Sequence, residues 1–177
     1  MKRQILGLYV ILASVFLASG MAGCVGNLQD TQTEHAADDR AVIQELIAQY
    51  AYRWDAKETN AFADLFTDDV VVERYVQDEL KSRLNGRDQL SEYARLSHLG
   101  RLADRQTRHH MSGITFRELS PDRAVTRNMV LITHQTVESG TPFVAGAGVY
   151  EMTWQKVEDG WKIAKRILYS DAVTSAQ

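Results

Sequence analysis

From about Thr107 onward the chain consists of four strand-length segments divided by short turns, and that succession leaves few folds open. The segments are Thr107 to Glu118, Ala124 to Val137, Phe143 to Val157 and Trp161 to Tyr169. Between them stand Ser120-Pro121-Asp122, Glu138-Ser139-Gly140-Thr141-Pro142 and Glu158-Asp159-Gly160, which are turn chemistries at hairpin spacing. Hairpins join neighbouring strands antiparallel, so this half predicts a meander. In the last strand Trp161, Ile163, Ile167 and Tyr169 are assigned to one face, while Lys162, Lys165 and Arg166 bring polarity. A sheet covered on one side follows.

Upstream the period changes. Ile43, Leu46, Ile47, Tyr50, Ala51 and Trp54 recur every three or four residues behind Asp38 and Asp39, the signature of an amphipathic helix with acids at its start. A short second helix fits Asn60 to Phe66, and Thr67-Asp68-Asp69 turns the chain into the β-rich Val70-Val71-Val72. A third helix fits Asp88 to Leu96, after Asn85-Gly86. Helices first and strands afterwards give an α+β class: three N-terminal helices packed on a strongly curved antiparallel β-sheet. One domain is expected over 38–172, with a short tail at 173–177. Two prolines in the whole chain leave no Pro-rich linker, and 45% apolar with 24% charged residues describes a folded globular domain rather than a disordered one.

The first residues read as an address. Lys2 and Arg3 precede the uncharged, mostly apolar run Ile5 to Leu17, as in a secretory signal. Met21-Ala22-Gly23-Cys24 resembles a bacterial lipobox, in which the cysteine thiol is acylated and its amine becomes the new N-terminus. The expectation is a leader over 1–23, a lipidated Cys24 and a flexible polar tether over 24–37. Ordinary cleavage, or a retained helix across the uncharged stretch Gln4 to Gln29, are the alternatives. Val25 in place of an aspartate points to the outer membrane, periplasmic side, of a Gram-negative cell envelope. Cys24 is the one cysteine, so no thiol nucleophile, disulfide or Cys-based metal site is available to the domain. The formal net charge is −3, and the leader removes two bases and no acid. Nothing electrostatic therefore suggests a nucleic-acid partner.

Several chemistries have no support. Gly146-Ala147-Gly148 lies inside a strand, and glycines there mark a bend rather than a dinucleotide site. P-loop, HExxH and G-x-S-x-G patterns do not occur. The informative residues are histidines. His109 and His110 are adjacent on a strand, so one faces the concave side and the other does not. His134 shares parity with Val130 and Ile132, an apolar row. Asp55 closes the first helix on the side that faces the sheet. Trp54, Phe66, Tyr75, Tyr150, Trp154 and Tyr169 are available either to the core or to the walls of a pocket.

The arrangement from Tyr50-Ala51-Tyr52-Arg53-Trp54-Asp55, through Leu65-Phe66-Thr67-Asp68-Asp69 and Arg108-His109-His110, to Gly148-Val149-Tyr150 and Asp159-Gly160-Trp161-Lys162-Ile163 resembles the SnoaL-like branch of the nuclear transport factor 2-like superfamily. It looks most like scytalone dehydratase, bile-acid 7α-dehydratase and hexachlorocyclohexane dehydrochlorinase. The resemblance implies a cone-shaped α+β barrel in which an aspartate ending the first helix pairs with a histidine base on a strand. Asp55 and His109 match those two, His134 matches a second pocket histidine, and Tyr50 matches a pocket tyrosine. Trp54 and Gly113 depart from the relatives, which have tyrosine and often asparagine there.

The resemblance implies a metal-free lyase of dehydratase type, or an isomerase, with catalytic Asp55, His109, His134 and Tyr50. Its pocket is drawn from Trp54, Phe66, Tyr75, Val130, Ile132, Tyr150, Trp154 and Tyr169. No cofactor and no metal is expected, although Asp55, His109 and His134 compose a two-histidine, one-carboxylate donor set on paper. The partners expected are a small hydrophobic oxygenated molecule, the membrane through Cys24, and a second copy of the chain. The competing function is a non-catalytic lipoprotein that binds a small molecule or a protein through the same pocket.

Overall fold

The computed structural model of the protein describes residues 25–171, with side chains from 35 onward. The expected leader, Cys24 and the tail at 173–177 lie outside the described residues. Among the described residues no helix is long and apolar enough to cross a membrane.

Helix α1 spans Val25–Asp55. Its inner stripe is Ile43, Ile47, Tyr50 and Trp54, all buried, at the spacing that puts side chains on one helical face. The helix begins well before Asp38, so the stretch 25–37 has helical backbone in place of the expected flexible tether. Once a packed segment has nucleated a helix, each upstream residue adds a hydrogen bond at small entropic cost, and Gly26 is the one breaker in the way. The polar composition still governs packing: residues 35–42 are almost all exposed. Asp39 is an early tertiary anchor, its carboxylate accepting hydrogen bonds from Lys156 Nζ at 2.7 Å and Trp161 Nε1 at 2.8 Å.

After α1 come α2 (Thr59–Ala63), β1 (Phe66–Val76), β2 (Glu79–Asn85), α3 (Arg87–Leu99), β3 (Arg105–Leu119), β4 (Arg123–Thr136), β5 (Phe143–Val157) and β6 (Gly160–Ser170). The six strands form one curved sheet in the order β2-β1-β6-β5-β4-β3, open at both edges. The hairpins β3-β4-β5-β6 are antiparallel as expected. The sheet is nevertheless mixed, because β6 returns beside β1 and the two run parallel. Strand β2 is an addition to the expected set. Its residues are nearly all exposed, so an edge strand of this kind carries no hydrophobic alternation to reveal it. A two-residue turn, Gln77 and Asp78 at φ 51° and 60°, makes the β1-β2 hairpin.

Bulges curve the sheet and exchange its faces. In β3 the register slips between Ser112 and Thr115; Gly113 sits there at φ 62°, a region open to glycine and asparagine. In β6 Trp154 pairs with Ile163 but Thr153 pairs with Lys165, leaving Ala164 as the extra residue. Trp161 and Ile163 therefore face the core, and beyond the bulge Arg166 and Leu168 take over that face. The expected row Trp161, Ile163, Ile167, Tyr169 is broken at Ala164, since one inserted residue inverts a strand's alternation.

Gly148, opposite Ser170 on β6, packs closely against the β6 backbone. A Cβ there would fall well inside contact distance of the Tyr169 carbonyl oxygen, whereas one at Gly146 would meet nothing. Gly148→Ala is expected to cost about 1–3 kcal/mol of unfolding free energy by forcing the strands apart. Gly146→Ala should stay within about 0.5 kcal/mol. Urea denaturation of both variants checks this; equal midpoints would refute the assignment of the close approach to Gly148.

Candidate active site

Asp55 is the last residue of α1, a position that opposes its charge, because the C-terminal end of a helix carries partial negative charge. Lys57 then turns the chain at φ 61°, with Lys57 N donating to the Trp54 carbonyl and Glu58 N to the Arg53 carbonyl. This double bond pattern ends the helix sharply and holds the Asp55 side chain against β3. Strand β3 supplies what the helix end does not. Thr107 Oγ1 donates to Asp55 Oδ1 at 2.6 Å, the His109 backbone N–H donates to Oδ2 at 2.7 Å, and His109 Nδ1 lies 2.8 Å from Oδ1. Gln106 Nε2 reaches the Asp55 backbone carbonyl at 3.2 Å. Thr107 and His109 share a face because strand side chains alternate.

Both members of the pair are buried, each with 7% of its side chain exposed. Burial alone pushes the Asp55 carboxyl pKa up; the hydrogen bonds from His109 and the Thr107 hydroxyl, with the charge that His109 carries whenever its ring is protonated, outweigh it and hold the group below its usual range. An ionised carboxylate only accepts, so Nδ1 of His109 carries the proton. That leaves Nε2 as the ring nitrogen without a hydrogen-bond partner among the described residues, the form required of a base.

His109 lines a cavity of about 550 Å³, a volume that suits a small organic ligand. Tyr50 and Trp54 from α1, Ile132 and His134 from β4, and Tyr150 from β5 share its wall. Ring packing fixes the α1 side: Tyr50 meets Tyr150 edge-on at 5.5 Å and Phe62 at 5.1 Å. Burial first, then the charges of Arg105, His109 and Arg101, lower the His134 pKa, so His134 is a neutral imidazole able to donate one hydrogen bond near neutral pH. Burial likewise raises Tyr150 well above the ordinary phenol value, keeping it a neutral donor. A second cleft touches Asp55 and His109 from the other side of the α1–β3 seam. There the Asp55 oxygens are already engaged with β3.

Of the residues named from sequence, His109, His134, Tyr50, Trp54, Ile132 and Tyr150 line the main cavity, and Asp55 stands behind His109. His110 points to the outer face, where its Nε2 meets Thr133 Oγ1 at 3.1 Å. Phe66, Val130 and Trp154 belong to the buried core instead of the wall, with Trp154 Nε1 bonded to Thr126 Oγ1 at 2.9 Å. Tyr75 and Tyr169 stack on each other at 5.7 Å away from the cavity, Tyr169 having been turned out by the Ala164 bulge. Among the described residues no three His, Cys, Asp or Glu side chains are arranged to hold a metal ion, so Asp55, His109 and His134 do not converge as a donor set. Sequence reasoning passed over Arg166, Arg101 and Arg74, which border the cavity. Nothing in their local pattern marks them, and Arg166 comes inside only through the bulge.

The SnoaL-like domain family matches residues 35–167. A search among curated proteins returns no significant match. Among solved structures, the chain is 25% identical to a provisionally assigned scytalone dehydratase from Novosphingobium aromaticivorans, with a TM-score of 0.68 over 82% of this chain and 92% of that one. It is 26% identical to an Asp-to-Asn variant of Rv3472, a Mycobacterium tuberculosis protein of unknown function, with a TM-score of 0.62 over 75% and 76% of the two chains. An NTF2-like protein with a cystatin-like fold from N. aromaticivorans, 22% identical, shares the fold with a TM-score of 0.67 over 89% and 94%. With the fold, the buried carboxylate–imidazole pair and the family match in agreement, this chain belongs to the SnoaL-like domain family.

Proposed function

We propose that this chain is a cofactor-independent lyase of dehydratase type, or an isomerase, acting on a small hydrophobic oxygenated molecule. His109 is its general base and Asp55 the group that orients the base. The observation that carries the reading is the 2.8 Å contact between Asp55 Oδ1 and His109 Nδ1, on a histidine whose other nitrogen has no partner among the described residues and which borders a cavity of ligand size.

The chemistry follows from the pair. Nε2 takes a proton from carbon beside a carbonyl, and the C–H electron pair moves toward the carbonyl as an enolate. Asp55 stabilises the imidazolium so formed and keeps the ring in one orientation. His134 and Tyr50 are placed on the wall to donate hydrogen bonds to the developing oxyanion. In an elimination the proton returns from Nε2 to the departing hydroxyl, which leaves as water; in an isomerisation it returns to another carbon. Thr107 and the His109 backbone N–H also bond the Asp55 carboxylate, one on each oxygen, and so hold it against rotation. The likeness to a provisionally assigned scytalone dehydratase supports this class of reaction. The lipobox-like Met21-Ala22-Gly23-Cys24 supports a lipid-anchored place at the bacterial cell envelope.

Three outcomes are expected. With a panel of β-hydroxy ketones and cyclic ketones in D₂O, followed by NMR, the full chain should catalyse elimination or α-deuteration. His109→Gln and Asp55→Asn should each lower kcat/KM by about 10²–10⁴-fold while keeping a cooperative thermal transition. Absence of any reaction across the panel, or variants as active as the parent, would favour the non-catalytic binding role. Secondly, Asp55 has a native pKa below its unfolded one, so its charge stabilises the fold above the unfolded value and that contribution disappears as pH falls through the native value. The stability advantage of the parent over Asp55→Asn should therefore be level above about pH 5 and shrink below about pH 4, as read by urea denaturation across pH. Thirdly, cells fed radiolabelled palmitate should label the full chain and not Cys24→Ser; equal labelling would remove the anchor.

A further inference from the structure

Three arginines border the main cavity, Arg74, Arg101 and Arg166, and none has a carboxylate partner among the described residues. Arg74 Nε donates to Ser170 Oγ at 2.9 Å, and Arg101 Nη2 donates to the Tyr93 hydroxyl at 3.1 Å and Ser97 Oγ at 3.3 Å. Arg166 is the extreme case. It is 8% exposed, its Nε is buried without a partner, and its guanidinium donates no hydrogen bond among the described residues. The Tyr150 ring lies 5.3 Å from its guanidinium carbon. The acids at the cavity border do not supply the missing charge: Glu73 is committed to Lys165 at 3.1 Å and Arg83 at 3.5 Å, and Asp171 is exposed at the strand end. Elsewhere the chain pairs its arginines freely, as at Arg83, Arg95 and Arg105.

A buried guanidinium without an anion costs folding free energy unless something else neutralises it. Its planar fork of donors matches a carboxylate in two parallel bonds. We infer that the cavity takes an organic acid, whose carboxylate is received by the Arg166 guanidinium while its hydrocarbon part lies among the aromatic walls. Arg74 and Arg101 at the border add attraction for the same sign of charge. The inference deepens the reading above by naming the substrate class; it shares with that reading the cavity and not the base.

The test is binding, independent of turnover. Calorimetric titration of the full chain with 2-naphthoate and with its neutral analogue 2-naphthamide should show the acid bound at least about tenfold tighter, a difference set by the charge. Arg166→Met, which keeps length and removes charge, should erase the preference and melt at or above the parent's temperature, since an unpaired buried charge has been removed. A merely structural Arg166 would give the opposite, a lower melting temperature with the preference kept. Should Arg166→Met not fold, Arg166→Lys is measured instead, and it should keep a reduced preference for the acid. Asp55→Asn, which disables the proposed base, should keep the full preference, so loss of catalysis and loss of acid recognition are read separately. Equal binding of acid and amide, binding of neither, or a sulfate salt raising the melting temperature as much as the naphthoate would overturn the inference.

Discussion

The Asp55 carboxylate is the joint on which the structure turns. It ties the end of α1 to the middle of β3 through Thr107 and His109, and the same bonds set the imidazole's tautomer. A buried carboxylate without partners would cost several kcal/mol. Here each oxygen is satisfied by the strand, so the group that fixes the helix on the sheet is also the group that prepares the base. Orientation of the histidine is thereby built into the fold.

The cavity exists because the sheet is not flat. Gly113 and Ala164 lie where β3 and β6 depart from regular pairing, and Gly148 sits in close contact with the β6 backbone. Each bulge adds twist and changes which residues face inward. The core lies among α1, α2 and the inner face of β1, β5 and β6, where Ile43, Phe62, Phe66, Met152, Trp154 and Ile163 are fully enclosed. The open part of the concave face is left to His109, His134, Tyr50 and Tyr150. Packing is thus concentrated beside the site, and the site itself keeps polar groups whose partners are few.

That division has an electrostatic side. His134 and Tyr150 are held neutral by burial, and Asp55 is held ionised by its hydrogen bonds. Arg166 stays charged despite its burial, because a guanidinium does not give up its proton in a protein. Neighbouring side chains in one pocket are pushed in different directions, a pattern that marks sites of chemistry and recognition more than sites of stability. The unpaired guanidinium is the clearest instance of stability set aside for a ligand.

Much of the fold was legible in the chain itself. The 3.6-residue period of Ile43, Ile47, Tyr50 and Trp54 gave α1 its buried stripe, and the turns around Pro121, Gly140 and Gly160 set the β3–β6 meander. Period-two alternation grouped His134 with Ile132. The pairing of Asp55 with His109 came from the family resemblance, because their separation along the chain leaves no local trace. What lay beyond the sequence has a common cause. Strand β2 is an edge exposed on both faces, so it has no pattern to read. The parallel β1–β6 contact depends on where the last strand returns, and the upstream extension of α1 on cooperative propagation from a packed helix. The fate of Tyr169 and Arg166 was decided by one extra residue at Ala164. Local composition fixes which segments are strands and helices, because burial and backbone preference act over a few residues; only the closed network of pairings decides register, and with it which side chains meet in the cavity.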